Sequence, residues 1–362
     1  MPSSRRRRGP RRRRRKEAAA ETRSWADMPL DAILAVFHKL DHIDILMAAD
    51  QVCSSWRRAA RDEPALWRRI VMRGNADLSS RINRQGIACD AVRRSAGQCE
   101  AFCGEYAGDA GFLLYLSEES STYKLDHVDP CLKSLRLISC DGISLDEFAE
   151  LITRFPLLEE LELSECPELL VDCSGSLYPE VYEVLGRACP QLKHFRMNKQ
   201  YFQEQKWGNN DADAEGIGAM HELRSLQLVA NDLTNKGLAA ILDNCPRLES
   251  LDIRHCFNVK MDGDDSGGND EGTLLREKCA RIKTLRLPSD STHDCHLEVQ
   301  SPRFARTEEE IRRSWSISPV YYSPWLQDSE EDDDDFCRSP SRYEADLDRY
   351  EKVLPRSMRT FL

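Results

Sequence analysis

The sequence predicts an α/β chain in which a small helical module precedes a solenoid of alternating short strands and helices, with a charged segment at each end. An apolar motif of the form L-x-x-L-x-L recurs six times between positions 132 and 287. Residues 24–72 carry the apolar spacing of short helices, whereas the two ends show no apolar period. We therefore divide the chain into a disordered basic arm (1–23), the helical module (24–72), a repeat region (89–290) and a mostly disordered acidic tail (291–362).

The overall composition favours a globular interior with polar ends. Of 362 residues, 41% are hydrophobic and 31% are charged, and the chain contains 14 cysteines. No run of 18 apolar residues occurs, and no apolar stretch follows the basic N-terminus, so we predict neither a membrane span nor a secretory signal. We therefore expect an intracellular, reducing location, in which structural disulfides are uncommon.

Charge is distributed unevenly along the chain. Ten positive charges lie within residues 5–16, and subtracting them from the net charge of −11 leaves −21 for the rest. An acidic body repels nucleic acid, so contact with nucleic acid is expected from the arm alone. The arm is typical of a nuclear localisation signal, a nucleic-acid-contacting segment or a tail without a role, and we expect a nuclear or cytoplasmic protein. The acidic run 328–336 fits a phosphorylation target around Ser329 as well as it fits a solubilising tail.

Residues 23–70 predict three short helices. Pro29 suits a first helical turn, and an apolar stripe with spacings of three and four residues follows: Leu30, Ile33, Leu34 and Phe37. Asp44 is expected to cap the second helix, and the stretch PALWRRI to form the last. The apolar positions of the second helix recur on one face: Ile45, Ala49, Val52 and Trp56. A module of this size cannot bury them all, so the excess either packs on the repeats or binds a separate protein, and the pattern leaves both open.

The repeat region supplies the strongest prediction of the fold. Its six copies begin at steps of 25 to 34 residues: Leu132, Leu158, Leu192, Leu223, Leu248 and Ile282. In L-x-L the two apolar residues face the core from a short strand, and each copy returns through a helix such as 144–155 or 235–245. Stacked copies bury one core and curve into a horseshoe of leucine-rich repeats, with parallel strands on the concave face and helices on the convex face. A weaker copy precedes them at 98–106. The absence of a Gly-rich phosphate loop argues against a doubly wound sheet.

The cysteines fall into register with the repeats. Cys140, Cys166 and Cys256 end their copies, at the position that Asn231 occupies in the fourth. Three others stand three residues before the first leucine of a copy: Cys189, Cys245 and Cys279. This register predicts a structural role. Cys99 and Cys103, or the run HDCH at 293–296, give a weak zinc pattern without a second pair, and no cysteine has a histidine partner in a motif typical of a catalytic thiol. We predict no metal, no cofactor and no catalytic residue.

Two internal stretches are acidic, contain glycine and have little to bury: NNDADAEG at 209–216 and MDGDDSGGNDEG at 261–272. Their composition predicts disorder.

The concave face of the horseshoe consists of the residues between the apolar ones, and we predict that it holds a target protein. The residues proposed for this role are Arg136, Ile138, Glu160, Glu162, His194, Arg196, Gln227, Asp252, Arg254 and Arg286. An ordinary solvated sheet face, with the loops or tails holding the target instead, explains the same pattern, and no small-molecule pocket is predicted.

Residues 28–67 resemble an F-box, with methionine at position 28 where leucine is usual. The matching positions are Pro29, Ile33, Leu34, Phe37, Leu40, Asp44, Ile45, Val52, Cys53, Trp56, Arg57, Leu66 and Trp67. Followed by cysteine-containing leucine-rich repeats, and with the stretches WADMP and VCSSWRRAA, the chain resembles the plant F-box/LRR-repeat family over about residues 24 to 290.

The resemblance implies a non-catalytic role as the substrate receptor of an SCF (Skp–cullin–F-box) ubiquitin ligase. The F-box would dock a Skp-type adaptor, and through it cullin and a RING protein, while the repeats would hold an unknown target. The residues that would form or support the adaptor surface are Pro29, Leu30, Ile33, Leu34, Phe37, Ile45, Leu46, Val52 and Trp56, of which Phe37 and Trp56 suit the module core equally well. The alternative is a nuclear leucine-rich-repeat scaffold or histone-binding protein without a ligase role.

Overall fold

The computed structural model describes residues 24–74, 82–120, 131–170, 179–202, 211–261 and 271–293. The predicted basic arm and the acidic run 328–336 lie outside these residues, and so does the HDCH run after its first histidine. Among the described residues, no helix is long and apolar enough to cross a membrane.

The N-terminal module is built from short helices linked by single turns of 3-10 helix. Its α-helices are α1 (Leu30–Phe37), α2 (His42–Met47) and α3 (Ser54–Asp62). Pro29 caps α1 from the extended region of the backbone, as its restricted φ favours. Helix α2 begins at His42, so Asp44 lies within its first turn, and the prediction that Asp44 caps the helix is wrong.

Two further predictions for the module differ from the structure. The apolar series that begins at Ile45 was expected on one helix, but the backbone leaves helical geometry at Ala48 (φ −136°, ψ −56°). The series is therefore divided between α2, a 3-10 turn at Ala49–Gln51 and α3. PALWRRI is likewise divided, because only Pro64–Trp67 is helical and the chain then extends into a strand.

In the described part of the chain, eight parallel strands follow one another in a single sheet, in the order of the sequence. They are β1 (Arg69–Met72), β2 (Ala101–Glu105), β3 (Ser134–Ile138), β4 (Glu160–Ser164), β5 (His194–Asn198), β6 (Ser225–Gln227), β7 (Ser250–Asp252) and β8 (Thr284–Arg286). Leu135, Leu161 and Phe195 stand side by side in register, and each is fully buried. The α/β repeat architecture is thus confirmed, and the weaker copy at 98–106 supplies β2.

Helices connect successive strands and pack on the apolar side of the sheet. They are α4 (Arg84–Arg94), α5 (Ala110–Ser120), α6 (Leu145–Ile152), α7 (Pro167–Leu170), α8 (Pro179–Ala188), α9 (Ala212–Gly218), α10 (Asn235–Asn244) and α11 (Glu271–Cys279). Helix α9 contradicts the prediction of disorder at 209–216. The acidic residues there have partners: the Asp211 carboxylate accepts from the Thr234 N–H and hydroxyl, and Asp213 accepts from Asn231. Of the second stretch, the structure describes Met261, Glu271 and Gly272, the last two being the start of α11.

Backbone hydrogen bonds join each copy to the next at two fixed places. The carbonyl of the second residue of a copy accepts two N–H groups from the next copy; Lys133 O, for example, accepts from Glu159 and Glu160 at 2.8 and 3.0 Å. The eighth residue donates its N–H forward, as Ser139 does to Ser164 O at 2.8 Å. Several eighth residues adopt left-handed backbone geometry: Tyr106, Ser139, Glu165, Ala230 and His255, with φ between 51° and 61°. In these copies the closing turn is thus strained for an L-residue.

The cysteines form two series of contacts between neighbouring copies. After the strands, Cys166 Sγ donates to Leu137 O at 3.5 Å and Cys256 Sγ to Leu228 O at 2.8 Å. At the helix ends, Cys189 Sγ donates to Phe155 O and Cys245 Sγ to Met220 O. All four thiols are buried, so they fill apolar space and satisfy carbonyls of the preceding copy.

The sheet starts inside the module, at Arg69, before the predicted beginning of the repeats. Strand β1 is an edge strand, and α2 covers part of its open side. The N–H of Val71 donates to His42 Nδ1 at 3.1 Å, which leaves Nε2, 3.2 Å from Leu66 O, to carry the ring proton. His42 therefore connects α2 to the first strand as a neutral imidazole, and burial lowers its pKa.

Helix α4 fastens the module to the repeats through two arginines. Arg94 forms an ion pair with Asp50 at 3.4 Å, and its guanidinium stacks 5.3 Å from the Trp67 ring centre. Arg84, only 2% exposed, donates to Met72 O at 2.9 Å at the end of β1. Module and repeats consequently share one apolar core.

We expect Ser139→Gly to be more stable than Ser139→Val by about 1–2 kcal/mol, because only glycine adopts the left-handed geometry without steric cost. Chemical denaturation of both variants measures the difference. Ser225, which lies in β6, is the matched control, and there valine is expected to be the more stable of the two. The same order at both sites would contradict the assignment of strain to the turn.

The wild-type chain is expected to lose stability as pH falls through the ordinary histidine pKa of 6.5, since the unfolded chain then binds a proton that folded His42 resists. His42→Gln lacks this titration. The stability difference between wild type and variant should therefore shrink on acidification from pH 7.5 to about 5.5, a range that spans the ordinary histidine pKa, as followed by thermal unfolding. A pH-independent difference would show that His42 does not titrate in this way.

Candidate functional site

The module presents an apolar surface made of side chains that its own core does not cover. Leu30 is 47% exposed, Val52 is 51% exposed and Trp25 is 63% exposed; among the residues that the structure describes, they are three of the four large apolar side chains that are exposed. Pro29 is also exposed and Leu34 is half-buried. Large apolar side chains left exposed on a small module make these positions candidates for a protein interface.

Trp25 is held in place by α3, although sequence reasoning did not select it. The Trp56 indole N–H donates to Trp25 O at 3.3 Å, and the Ser55 hydroxyl donates to Ala26 O at 3.0 Å. The two tryptophan rings meet edge to face at 6.1 Å. The stretch WADMP contains this residue, but a single exposed tryptophan is not part of any periodic apolar pattern, so a pattern search could not find it.

The remaining predicted adaptor residues form the interior of the module. These fully or nearly buried side chains are Ile33, Phe37, Ile45, Leu46 and Trp56. Phe37 packs edge to face on Trp56 at 5.4 Å, between α1 and α3. The predicted set therefore divides into a surface group, Pro29, Leu30, Leu34 and Val52, and a supporting group that fixes the helices beneath it.

The outer face of the sheet, opposite the helices, carries a row of charges that alternate in sign. In register across neighbouring strands stand Arg136, Glu162, Arg196, Gln227, Asp252 and Arg286. Neighbouring strands lie about 4.8 Å apart, so each charge faces one of opposite sign or an amide. Over β3 to β5 each charge of the row therefore has a neighbour of opposite sign.

Glu162 is the centre of this row. Its carboxylate accepts from Arg136 Nε at 2.6 Å and from the Ser164 hydroxyl at 3.0 Å, and Arg196 lies at 3.5 Å. The Glu162 side chain is only 4% exposed because the two guanidinium groups cover it, whereas theirs are about one third exposed. The arginines rather than the glutamate therefore face solvent.

Glu160, two residues before Glu162 on β4, is a second carboxylate in this network. Burial opposes its ionisation, but hydrogen bonds from Arg196 and from the Ser134 hydroxyl outweigh burial and lower its pKa. Glu160 is thus ionised at neutral pH and holds Arg196 against the sheet.

The ten residues predicted to bind a target are not equally accessible. Glu162, Ile138 and Arg254 are buried, in contrast to the prediction that the whole set is presented. Arg254 folds back on Asp252, at 2.6 Å, and donates to Ser291 O at 2.8 Å. The accessible members are Arg136, Glu160, His194, Arg196, Gln227, Asp252 and Arg286.

Two of the helix-end cysteines lie in surroundings that disfavour the reactive thiolate. Burial raises the pKa of Cys189 to about 12 and that of Cys245 to about 11, so both remain neutral thiols. Cys99 and Cys103 differ in environment, Cys99 donating to Ala101 O and Cys103 lying in register with Arg136 of the charged row. In the described part of the chain, no group of three or more metal-ligating side chains is assembled.

A helical module that leaves large apolar side chains exposed, followed by a sheet of repeats with a polar outer face, defines this chain as a protein of the leucine-rich-repeat class. A family model described as F-box-like matches residues 25–73. Over 277 residues the chain is 39% identical to F-box protein SKIP19 of Arabidopsis thaliana, covering 76% of this chain and 80% of that protein. It is 34% identical to the Arabidopsis putative F-box/LRR-repeat protein 22, over 83% of this chain and 89% of the relative. The chain belongs to the plant F-box/LRR-repeat family.

Glu162→Ala is expected to destabilise the fold by about 2 kcal/mol, because Arg136 loses the carboxylate that it donates to and Arg196 loses one of its two carboxylate neighbours. Denaturant unfolding measures the loss. The control is Glu183→Ala, whose partner Arg187 is 73% exposed, and a change under about 0.5 kcal/mol is expected there. Equal losses of stability at both sites would show that the Glu162 network contributes no more to stability than an exposed ion pair does.

Proposed function

We propose that this protein is the substrate receptor of an SCF-type ubiquitin ligase. Its module docks a Skp-type adaptor, through which cullin and a RING protein are recruited, and its repeat sheet holds a target protein. The observation that carries the proposal is the F-box-like match at residues 25–73, on a module that leaves Leu30, Val52 and Trp25 exposed.

The chemistry of the module surface supports the adaptor interface. Leu30 opens α1 and Val52 immediately precedes the turn into α3, so two helix starts contribute apolar side chains. Trp25, anchored on α3, adds a large aromatic side chain of the kind that dominates binding energy at interfaces. The buried Phe37–Trp56 contact fixes these helices relative to each other, which lowers the ordering entropy of association.

The sheet face supports target binding through preorganised polar groups. Arg136 and Arg196 are each held by a glutamate, yet about one third of each side chain faces solvent. A partner meets guanidinium groups already fixed in position, so few rotamers are lost on binding. The proposed receptor performs no bond chemistry; it raises the effective concentration of a target lysine near the ubiquitin-charged conjugating enzyme.

Leu30→Asp and Val52→Asp are expected to weaken binding of a purified Skp-type adaptor by roughly 30-fold or more each, equivalent to about 2 kcal/mol at a central interface residue. Calorimetry or surface plasmon resonance measures the affinity. Because both side chains are about half exposed, neither variant should lose its fold, which circular dichroism checks.

Leu274→Asp is the matched control, since Leu274 is 52% exposed but lies on α11, far along the chain from the module. Its adaptor affinity should equal that of wild type. A wild-type chain that binds no Skp-type adaptor would refute the receptor role, and equal losses in all three variants would refute the assigned surface.

A further inference from the structure

The last described copy of the repeat is less well covered than those before it. In the preceding copy Leu251 and Ile253 are fully buried, whereas the equivalent Leu285 and Leu287 are only half-buried. On the neighbouring helix α11, Leu274 is 52% exposed. The free end of the described solenoid is therefore apolar, and we name Leu274, Leu285 and Leu287 the end face.

The backbone at this end has an open hydrogen-bonding edge with which another strand can pair. Seven successive second-position carbonyls each accept two N–H groups from the following copy: Arg68, Glu100, Lys133, Glu159, Lys193, Arg224 and Glu249. The next in the series is Lys283 O, and no N–H among the described residues donates to it. An open parallel edge beside an apolar face is the surface on which a repeat protein adds its next unit.

Beyond position 293, residues 314–318 combine apolar alternation with the spacing of a further copy. They read SWSIS, a strict alternation that places Trp315 and Ile317 on one side of a strand. Relative to the repeat motif, Trp315 and Ile317 occupy the positions of Leu285 and Leu287 when the copy starts at Arg312. Arg312 follows Ile282 by 30 residues, within the steps of 25 to 34 that separate the other copies.

We propose that Ser314–Ser318 docks on β8 as a further parallel strand, with Trp315 and Ile317 covering the end face. The segment lacks an apolar residue at the first motif position, where it has Arg312, and so resembles the atypical last unit that closes a repeat array. The three serines between and beside the apolar residues extend the outer face of the sheet beyond Arg286. The inference stands apart from the ligase role.

The chain has the length to make this contact. Between Arg286, where β8 ends, and Ser314 lie 27 residues, and the completed copies use 21 to 31 residues between one strand and the next. Because the segment is covalently attached, its effective concentration at β8 is on the order of millimolar, which favours it over a second copy of the chain at ordinary protein concentration.

Hydrogen–deuterium exchange on the full chain tests the proposal. The variant Trp315→Asp/Ile317→Asp should speed exchange in peptides covering Thr284–Arg286 by about tenfold or more, because local opening then lacks the covering strand. The control Trp325→Asp/Leu326→Asp makes the same two chemical changes outside SWSIS and should leave these peptides unchanged. Peptides from Glu160–Ser164 report on the fold and should not change in either variant.

A second variant avoids introducing charge. Ser316→Pro removes an N–H from the middle of the docking strand and should also speed exchange at β8. Unchanged exchange at β8 in both SWSIS variants would overturn the proposal. So would a wild-type chain whose β8 protection falls on dilution together with a dimer seen by sedimentation, because the end face would then be covered by a second copy.

Discussion

The carbonyl of the second residue in each copy is the interaction on which the rest of this structure depends. From Arg68 to Glu249 it accepts two N–H groups of the next copy, the first at 2.8 Å in every case. This bond fixes the strand register, and the register decides which side chains enter the core and which face outward. The buried leucines, the two series of thiol contacts and the alternating charges all follow from it. A shift of one residue would exchange Leu161 for Glu162 in the core.

The first of these carbonyls lies within the helical module, and this changes how the module should be understood. Arg68 accepts from Glu100 and Ala101, so the module supplies the first strand of the sheet rather than preceding it. His42, Arg84 and Arg94 then fasten the helices to that strand and to the first helix of the repeats. Much of the apolar surface that seemed excessive for an isolated module is accordingly buried in a core shared with the repeats. Only a few apolar side chains of the module remain exposed to solvent.

Sequence patterns predicted the repeats well because the motif is periodic and each copy makes the same contacts. The placement of Cys166 and Cys256 followed from register alone. Patterns failed where tertiary contacts override local preference. The break at Ala48 divides a plausible helix, and Asp211 and Asp213 are ordered by Thr234 and Asn231 from a later turn. Burial of Glu162 was likewise hidden, since it requires arginines from both neighbouring strands, and Trp25 has no periodic neighbours.

The shared core has a geometric consequence for a receptor. Because the module and the repeat sheet are joined through β1 and share one core, the helices of the module have little freedom to swing relative to the sheet. Under the proposed role, the protein then fixes the distance between its two partners: a target bound at Arg136 and Arg196 lies at a set distance from the adaptor. A lysine of the target is then modified only if it lies within reach of the ubiquitin-charged conjugating enzyme. Two targets with equal affinity can therefore differ widely in how readily they are ubiquitinated.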